Sequence, residues 1–235
     1  MGRVIIAQAT VQLVPVLEAL PFGDEAQPLP PGPSRLHAAA WDAYYQAALA
    51  EAGFADVRPI AAGERFVAAR ALIGHPRLDH LVREALTDSG LPGFPSDDDD
   101  ACPRMDRISP LEGGFALVID GDACLMPSCC SDFRNIEDWE ATVAARPAHD
   151  ELWMGHPALV VEWRDERVTV AEQWEYPPAP DYLLEATLPA ASLAAAVAAA
   201  RTELTAFRAD LVPIVARLLG APDQAAAVTA RLLGL

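Results

Sequence analysis

The chain has 235 residues, 52% of them hydrophobic, which is enough for a core and excludes disorder of the whole chain. Its net charge is −17 and all 17 basic residues are arginine, which argues against a broad nucleic-acid surface and favours a basic partner. Abundant Ala, with Arg in place of Lys, is typical of a high-GC bacterial genome. The sequence contains no unbroken apolar run of about 18 residues and no convincing signal-peptide cleavage site. We therefore expect a cytoplasmic protein with reduced thiols and no membrane partner.

The N-terminal part of the chain predicts a strand, a linker and a helix. Residues 3–14 are rich in Val and Ile, which indicates a strand. The proline-rich segment Pro28–Ser34 predicts an extended linker, and Ser34 is a good N-cap for a helix over residues 35–53. Gly53 supplies the stop of that helix.

The next part is less regular. Arg65–Ile73 fits a strand and a short helix about equally well. An apolar stripe predicts a helix with Pro76 in its first turn and an end near Gly90. Residues 91–110 lose all periodicity and predict a mobile acidic surface loop or a boundary between lobes. Four consecutive aspartates lie in this loop: Asp97, Asp98, Asp99 and Asp100. Adjacent side chains of an extended chain point to opposite sides, so we expect a solvated run and not a cation site.

The stretch Leu111–Tyr176 carries the clearest strand signals. Its predicted elements are two hairpins and a helix: strands Phe115–Ile119 and Ala123–Met126 around Asp120–Asp122, a helix Ile136–Ala145 with a capping box from Asn135 to Asp138, and strands Ala158–Trp163 and Arg167–Ala171. The C-terminal part predicts a strand Leu183–Leu188, a long helix from Ala190 to about Leu219, and a last helix Asp223–Leu233. We predict a single α+β domain over residues 1–235, with an antiparallel sheet built from hairpins and helices at both ends.

The cysteines offer two candidate sites, a metal centre and a thiol nucleophile. The metal ligands would be Cys102, Cys124, Cys129, Cys130 and His156. Paired C-x-x-C spacing is missing, so we expect no metal and no cofactor. In the thiol alternative, Cys129 or Cys130 attacks, His156 is the base and Asp132 orients it. No family-specific signature surrounds these residues, and buried cysteines are usually inert. The sequence has no G-x-S-x-G, P-loop or G-x-G-x-x-G motif, and the lack of lysine excludes Schiff-base chemistry.

A recognition surface is the remaining candidate. Tryptophans recur through the central stretch at Trp139, Trp153, Trp163 and Trp174. Glu162 and Trp163 point to opposite faces of their strand, so one of them faces outward. An exposed tryptophan among carboxylates suits a basic partner. The expected contact residues are therefore Asp97, Asp98, Asp99, Asp100, Glu162 and Trp163.

Three short motifs in Leu111–Val170 resemble a pattern of bacterial immunity proteins. They are Pro127-Ser128-Cys129-Cys130-Ser131-Asp132, Asn135-Ile136-Glu137-Asp138-Trp139 and Leu152-Trp153-Met154-Gly155-His156-Pro157. This order is similar to that in SUKH-like and related immunity proteins, which neutralise toxins by binding them. The resemblance implies a non-enzymatic α+β protein whose acidic surface occludes a basic toxin. The alternative is an enzyme of unknown class that uses the region 129–156.

Overall fold

The structure, a computed structural model, is an α+β fold and confirms the predicted fold class. It describes residues 2–5, 10–19, 28–34, 36–87, 89–91, 93–94, 105–127, 131–155, 158–173 and 184–235. The strands are β1 (Gly2–Ile5), β2 (Val11–Glu18), β3 (Phe66–Ala68), β4 (Gly113–Ile119), β5 (Asp122–Leu125), β6 (Asp150–Leu152), β7 (Ala158–Arg164), β8 (Arg167–Gln173) and β9 (Leu184–Pro189). The α-helices are α1 (Ala38–Glu51), α2 (Leu78–Leu86), α3 (Asn135–Ala145), α4 (Ala190–Leu219) and α5 (Ala225–Leu232).

The strands form two sheets. One has five strands in the order β1-β9-β8-β7-β6, and the other has four in the order β3-β2-β4-β5. All neighbours are antiparallel except β1, which pairs parallel to β9 with Gly2 opposite Leu184. The two predicted hairpins are confirmed: Asp120 (φ 53°) and Gly121 (φ 92°) close the turn between β4 and β5, and Asp165 and Glu166 join β7 to β8.

The N-terminal predictions need two corrections. The strand predicted over residues 3–14 is two strands in different sheets, and the second continues through Pro15 to Glu18. Proline has no N–H to donate to a neighbouring strand. Pro15 is tolerated because β3 pairs only with residues 16–18 of β2, so no β3 residue lies opposite Pro15. Helix α1 begins at Ala38 and not after Ser34, because the N–H groups of Leu36 and His37 donate to Pro33 O in a turn that precedes it.

Helix α4 connects the two sheets. It begins directly after β9 and packs against β2 of the four-stranded sheet as well as against α3 and α5. Its buried face repeats at helical spacing through Leu193, Val197, Leu204, Phe207 and Leu211. The predicted bounds of this helix are confirmed, and its left-handed C-terminal residue is Gly220.

Aromatic rings link this helix to the four-stranded sheet. Phe133, just before α3, meets Phe115 of β4 edge to face at a centroid distance of 6.0 Å, and it lies 6.2 Å from Phe207 of α4. All three rings are fully buried, so the helical and sheet layers share one core here. Within the described residues, no helix combines the length and apolarity needed to cross a membrane.

Candidate functional site

Asp132, a candidate in the thiol alternative, caps the turn of residues 132–135 that leads into helix α3. Its Oδ1 accepts the N–H of Arg134 at 2.8 Å, and Oδ1 of Asn135 accepts the N–H of Asp132 at 3.1 Å. These reciprocal bonds form a capping box. The sequence predicted this box three residues later, with Asn135 as its first residue. In the structure Asn135 is the last residue of the box, and its side chain accepts the N–H of Asp132. Burial raises the pKa of Asp132, although the Arg134 N–H opposes that rise.

The other members of the cysteine sites lie outside the described residues. These are Cys102, Cys129, Cys130 and His156, whereas Cys124 lies within β5. Among the residues that the structure does describe, no group of three or more His, Cys, Asp or Glu could hold a metal ion. The run Asp97, Asp98, Asp99 and Asp100 also lies outside the described part, as do Trp174, Tyr176 and Tyr182. Their predicted roles therefore stay predictions.

The strand β7 places Glu162 outward and Trp163 inward, so the predicted opposition of the two is confirmed. Trp163 is only 6% exposed, its Nε1–H donates to Thr142 Oγ1 at 3.1 Å, and the Arg146 guanidinium lies 5.6 Å from its ring centroid. Glu162 pairs with Arg164 at 3.0 Å. Trp163 therefore belongs to the core, and of the two only Glu162 can meet a partner directly.

Five carboxylates lie on α3, β6 and β7 near the β6 edge of the five-stranded sheet, and we call Glu137, Asp138, Asp150, Glu151 and Glu162 the acidic rim. By the strand pairing, Asp150 lies on the α3 side of the sheet with Val161, whereas Glu151 and Glu162 lie on the opposite side. Three members act on one another: burial raises the pKa of the Asp138 carboxyl, Asn135 opposes the rise by a hydrogen bond, and Glu137 and Asp150 add repulsion. Arg134 lies 3.7 Å from Glu137, and Arg164 pairs with Glu162, so two arginines offset part of the charge.

Trp153 adds an exposed aromatic surface to the acidic rim. It follows β6 directly and is 42% exposed, whereas Trp139 and Trp163 are buried. Its neighbour Leu152 pairs with Leu159 on the buried face of the sheet, so the core anchors the chain just before Trp153. An indole beside carboxylates can stack on a guanidinium whose charge the carboxylates balance.

A second charged cluster lies at the far end of β2. The Glu18 carboxylate is 5% exposed, and its Oε2 lies 3.0 Å from Nε of Arg65. Burial raises the pKa of Glu18 to about 7; Arg65 opposes the rise and Glu112 adds to it. Burial raises the pKa of Tyr45 in α1; the charge of Arg65 opposes that rise, and the charge of Glu18 adds to it. Groups with shifted pKa values are candidates for function, but ion-pair networks within a fold shift them as well.

His75 is the histidine most deeply buried among those in described ion pairs, and it is engaged at both ring nitrogens. Nε2 lies 3.1 Å from Asp56 Oδ1, and Nδ1 accepts the N–H of Arg77 at 3.1 Å. The ring stacks on Phe54 at a centroid distance of 5.0 Å. The acceptance from Arg77 places the proton on Nε2, so this imidazole serves to join a loop to the core and has no nitrogen left to act as a base.

Comparisons with family models, with curated proteins and with solved structures find no match to this chain. The likeness to SUKH-like immunity proteins therefore stays an expectation from the sequence. What the structure adds is a position for the residues that carried it. Asp132 and Asn135 cap a helix, Trp139 is buried, and Trp153 is exposed.

The sequence did not predict that the residues of either charged cluster lie together. The rim residues come from three separate segments, and only Glu162 among them was predicted to bind. The exposure of Trp153 could have been anticipated from the sequence. This residue directly follows a short strand, precedes Met154 and Gly155, and was already among the candidate interface aromatics. Glu18 gave no signal, since its desolvation depends on Arg65 and Glu112, which are distant in sequence.

Proposed function

We propose that this chain is a non-enzymatic cytoplasmic binding protein that occludes a basic protein partner, and that it is an immunity-type protein whose partner is a toxin. The observation that carries this proposal is the acidic rim, together with the exposed Trp153 that follows the rim strand β6. Like charges packed together repel, and the guanidinium or ammonium groups of a partner would relieve that repulsion.

The wider charge supports the same kind of partner. A net charge of −17 attracts a basic protein from a distance and speeds the encounter. At the rim, the exposed carboxylates of Glu137 and Glu151 can pair with the partner while Trp153 supplies contact area. A large aromatic residue amid polar groups is the usual composition of an interaction hot spot.

The experiment uses the protein encoded by the gene next to this one as the probe. We expect this neighbour to be a basic toxin, so its co-expression with the wild-type chain should restore growth that the toxin alone stops. Isothermal titration of the purified pair should show an affinity that falls as salt rises. A neighbour that is neither toxic nor bound would contradict the proposal.

Variants locate the contact. Glu151→Arg and Trp153→Ala should each weaken binding at least about tenfold, the equivalent of about 1.4 kcal/mol. The matched control is Asp210→Arg, which makes the same charge reversal at an exposed position of α4 outside the rim. Equal losses in Glu151→Arg and Asp210→Arg would show that overall charge, and not the rim, governs binding.

A further inference from the structure

Helix α1 is largely apolar, yet most of its surface is not buried. Only two of its 14 residues are charged, and Leu49 is the one that is fully buried. Within the described residues, no strand and no other helix makes an extensive contact with α1. A helix that is apolar on most sides normally lies inside a protein or against a partner. The exposed side of α1 is therefore a candidate interaction surface.

Two exposed leucines lie just before the start of this helix. Leu29 is 70% exposed and Leu36 is 60% exposed, which makes them the most exposed large apolar side chains of the described part. The segment that carries them is tied to α1, because Trp41 Nε1–H donates to Gly32 O at 2.9 Å. Apolar side chains that are exposed together are typical of an interaction site. We call Leu29, Leu36, Ala39, Ala43 and Ala50, which are all exposed, the α1 surface.

The α1 surface lies in a neutral part of a strongly acidic chain. Residues 26–50 contain one arginine and one aspartate, Arg35 and Asp42, whose formal charges cancel. The net charge of −17 therefore comes from the rest of the chain. A basic protein would gain nothing by charge at this surface, whereas two copies of the chain can meet here without bringing like charges together. Charge thus favours a second copy as the occupant.

The two ends of α1 favour an antiparallel arrangement of two copies. At the N-terminal end, His37 provides no side-chain cap and the first turn has no acidic residue, so nothing in this turn offsets the positive end of the helix dipole. At the C-terminal end, the exposed Glu51 sits at the negative end of the dipole. In an antiparallel pair, Glu51 of each copy lies beside the uncapped start of the other helix, where a carboxylate is stabilising.

We propose that two copies of this chain associate through the α1 surface, with their α1 helices antiparallel about a two-fold axis. Ala43 lies near the middle of α1 and so meets its counterpart close to the axis. The helix is about 21 Å long, which gives an interface smaller than the roughly 800 Å² that a stable complex buries on each partner. The dimer is therefore reversible, with a dissociation constant on the order of 10–100 μM.

Sedimentation equilibrium of the whole chain tests for this dimer from about 1 to 500 μM protein. The wild-type chain should change from monomer to dimer across this range. Raising NaCl from about 20 to 300 mM should tighten the dimer several-fold, because salt screens the repulsion between two acidic molecules. The binding of a basic partner has the opposite salt dependence, so the two associations are distinguishable. A chain that stays monomeric at about 500 μM in both salts would overturn the proposal.

A matched pair of variants locates the interface. Ala43→Glu brings two like charges together near the axis and should weaken the dimer at least about tenfold. Ala209→Glu makes the same change at an exposed position of α4 and should leave the dimer almost unchanged. Equal weakening by both variants would contradict an interface at α1.

Hydrogen exchange of the wild-type chain gives a second measurement that needs no substitution. The amides of α1 should become more protected as the protein concentration rises through the dimerisation range, while those of α5 should not change. Dimerisation without added protection of α1 would place the interface elsewhere and refute the proposal.

Discussion

Two buried tryptophans differ in whether their indole N–H is satisfied. Trp163 donates to Thr142 Oγ1 at 3.1 Å, whereas no acceptor among the described residues reaches Nε1 of Trp139. A buried donor without a partner loses its bond to water and gains none in return, which costs about 1–3 kcal/mol. The core thus accepts this cost at Trp139 and avoids it at Trp163.

The hydroxyl of Thr142 should therefore contribute measurably to stability. Thr142→Val keeps the shape of the side chain but leaves the Trp163 N–H unpaired, so we expect a loss of about 1–3 kcal/mol of unfolding free energy in urea. Thr142→Ser keeps the acceptor and serves as the control. In the Trp163→Phe background, Thr142→Val should cost clearly less. An equal cost in both backgrounds would show that the hydrogen bond is not the cause.

Local sequence rules succeeded where one segment contains all of the relevant information. The bounds of α4 followed from helix-forming residues between β9 and Gly220. The first hairpin turn followed from Asp120 and Gly121, and the second from the charged residues 164–166 between two strand patterns. The parallel pairing of β1 with β9 could not be predicted, because a strand pattern does not name its partner. The same reason hid the acidic rim and the Glu18 cluster, whose members come from distant segments.

At the start of α3, the sequence correctly predicted a capping box but placed it three residues too late. An Asx side chain followed three residues later by a second polar one occurs twice, as Asp132 with Asn135 and as Asn135 with Asp138. The structure uses the first pair. The buried Ser131 hydroxyl also donates to Asn135 Oδ1 at 2.8 Å, which holds this amide toward the turn before the helix.

A cap of this kind predicts a graded response to substitution. Asp132→Ala removes the acceptor for the Arg134 N–H and should lower the unfolding free energy by about 1 kcal/mol. Asp132→Asn keeps an oxygen at the same place and should retain most of the stability. Thermal unfolding followed by circular dichroism measures both. Equal melting temperatures for the Ala and Asn variants would argue against the capping role.

At the scale of the whole molecule, charge is the dominant property. A net charge of −17 over 235 residues gives self-repulsion that the folded state must withstand. Several arginines already lie in ion pairs, including Arg201 with Glu140 across α3 and α4 and Arg217 with Asp79 across α4 and α2. These pairs offset the repulsion locally, while the excess of carboxylates remains.

Added salt should accordingly stabilise the fold. Screening weakens the long-range repulsion more than the close ion pairs, so NaCl raised from about 20 to 300 mM should add about 1 kcal/mol. For a chain of this size, that corresponds to about 2–4 °C in melting temperature. Differential scanning calorimetry at pH 7.5 measures the shift, with KCl as a check that the cation is not specific. A fall in melting temperature would show that ion pairs, and not repulsion, dominate.

The pairing of β1 with β9 has a consequence for how the chain folds as it is made. Residues 2–5 are synthesised about 180 residues before the strand that they pair with, residues 184–189. Until that strand has been made, β1 lacks its partner and must avoid wrong ones. The β7–β8 hairpin can form early, whereas completion of its sheet is necessarily a late event.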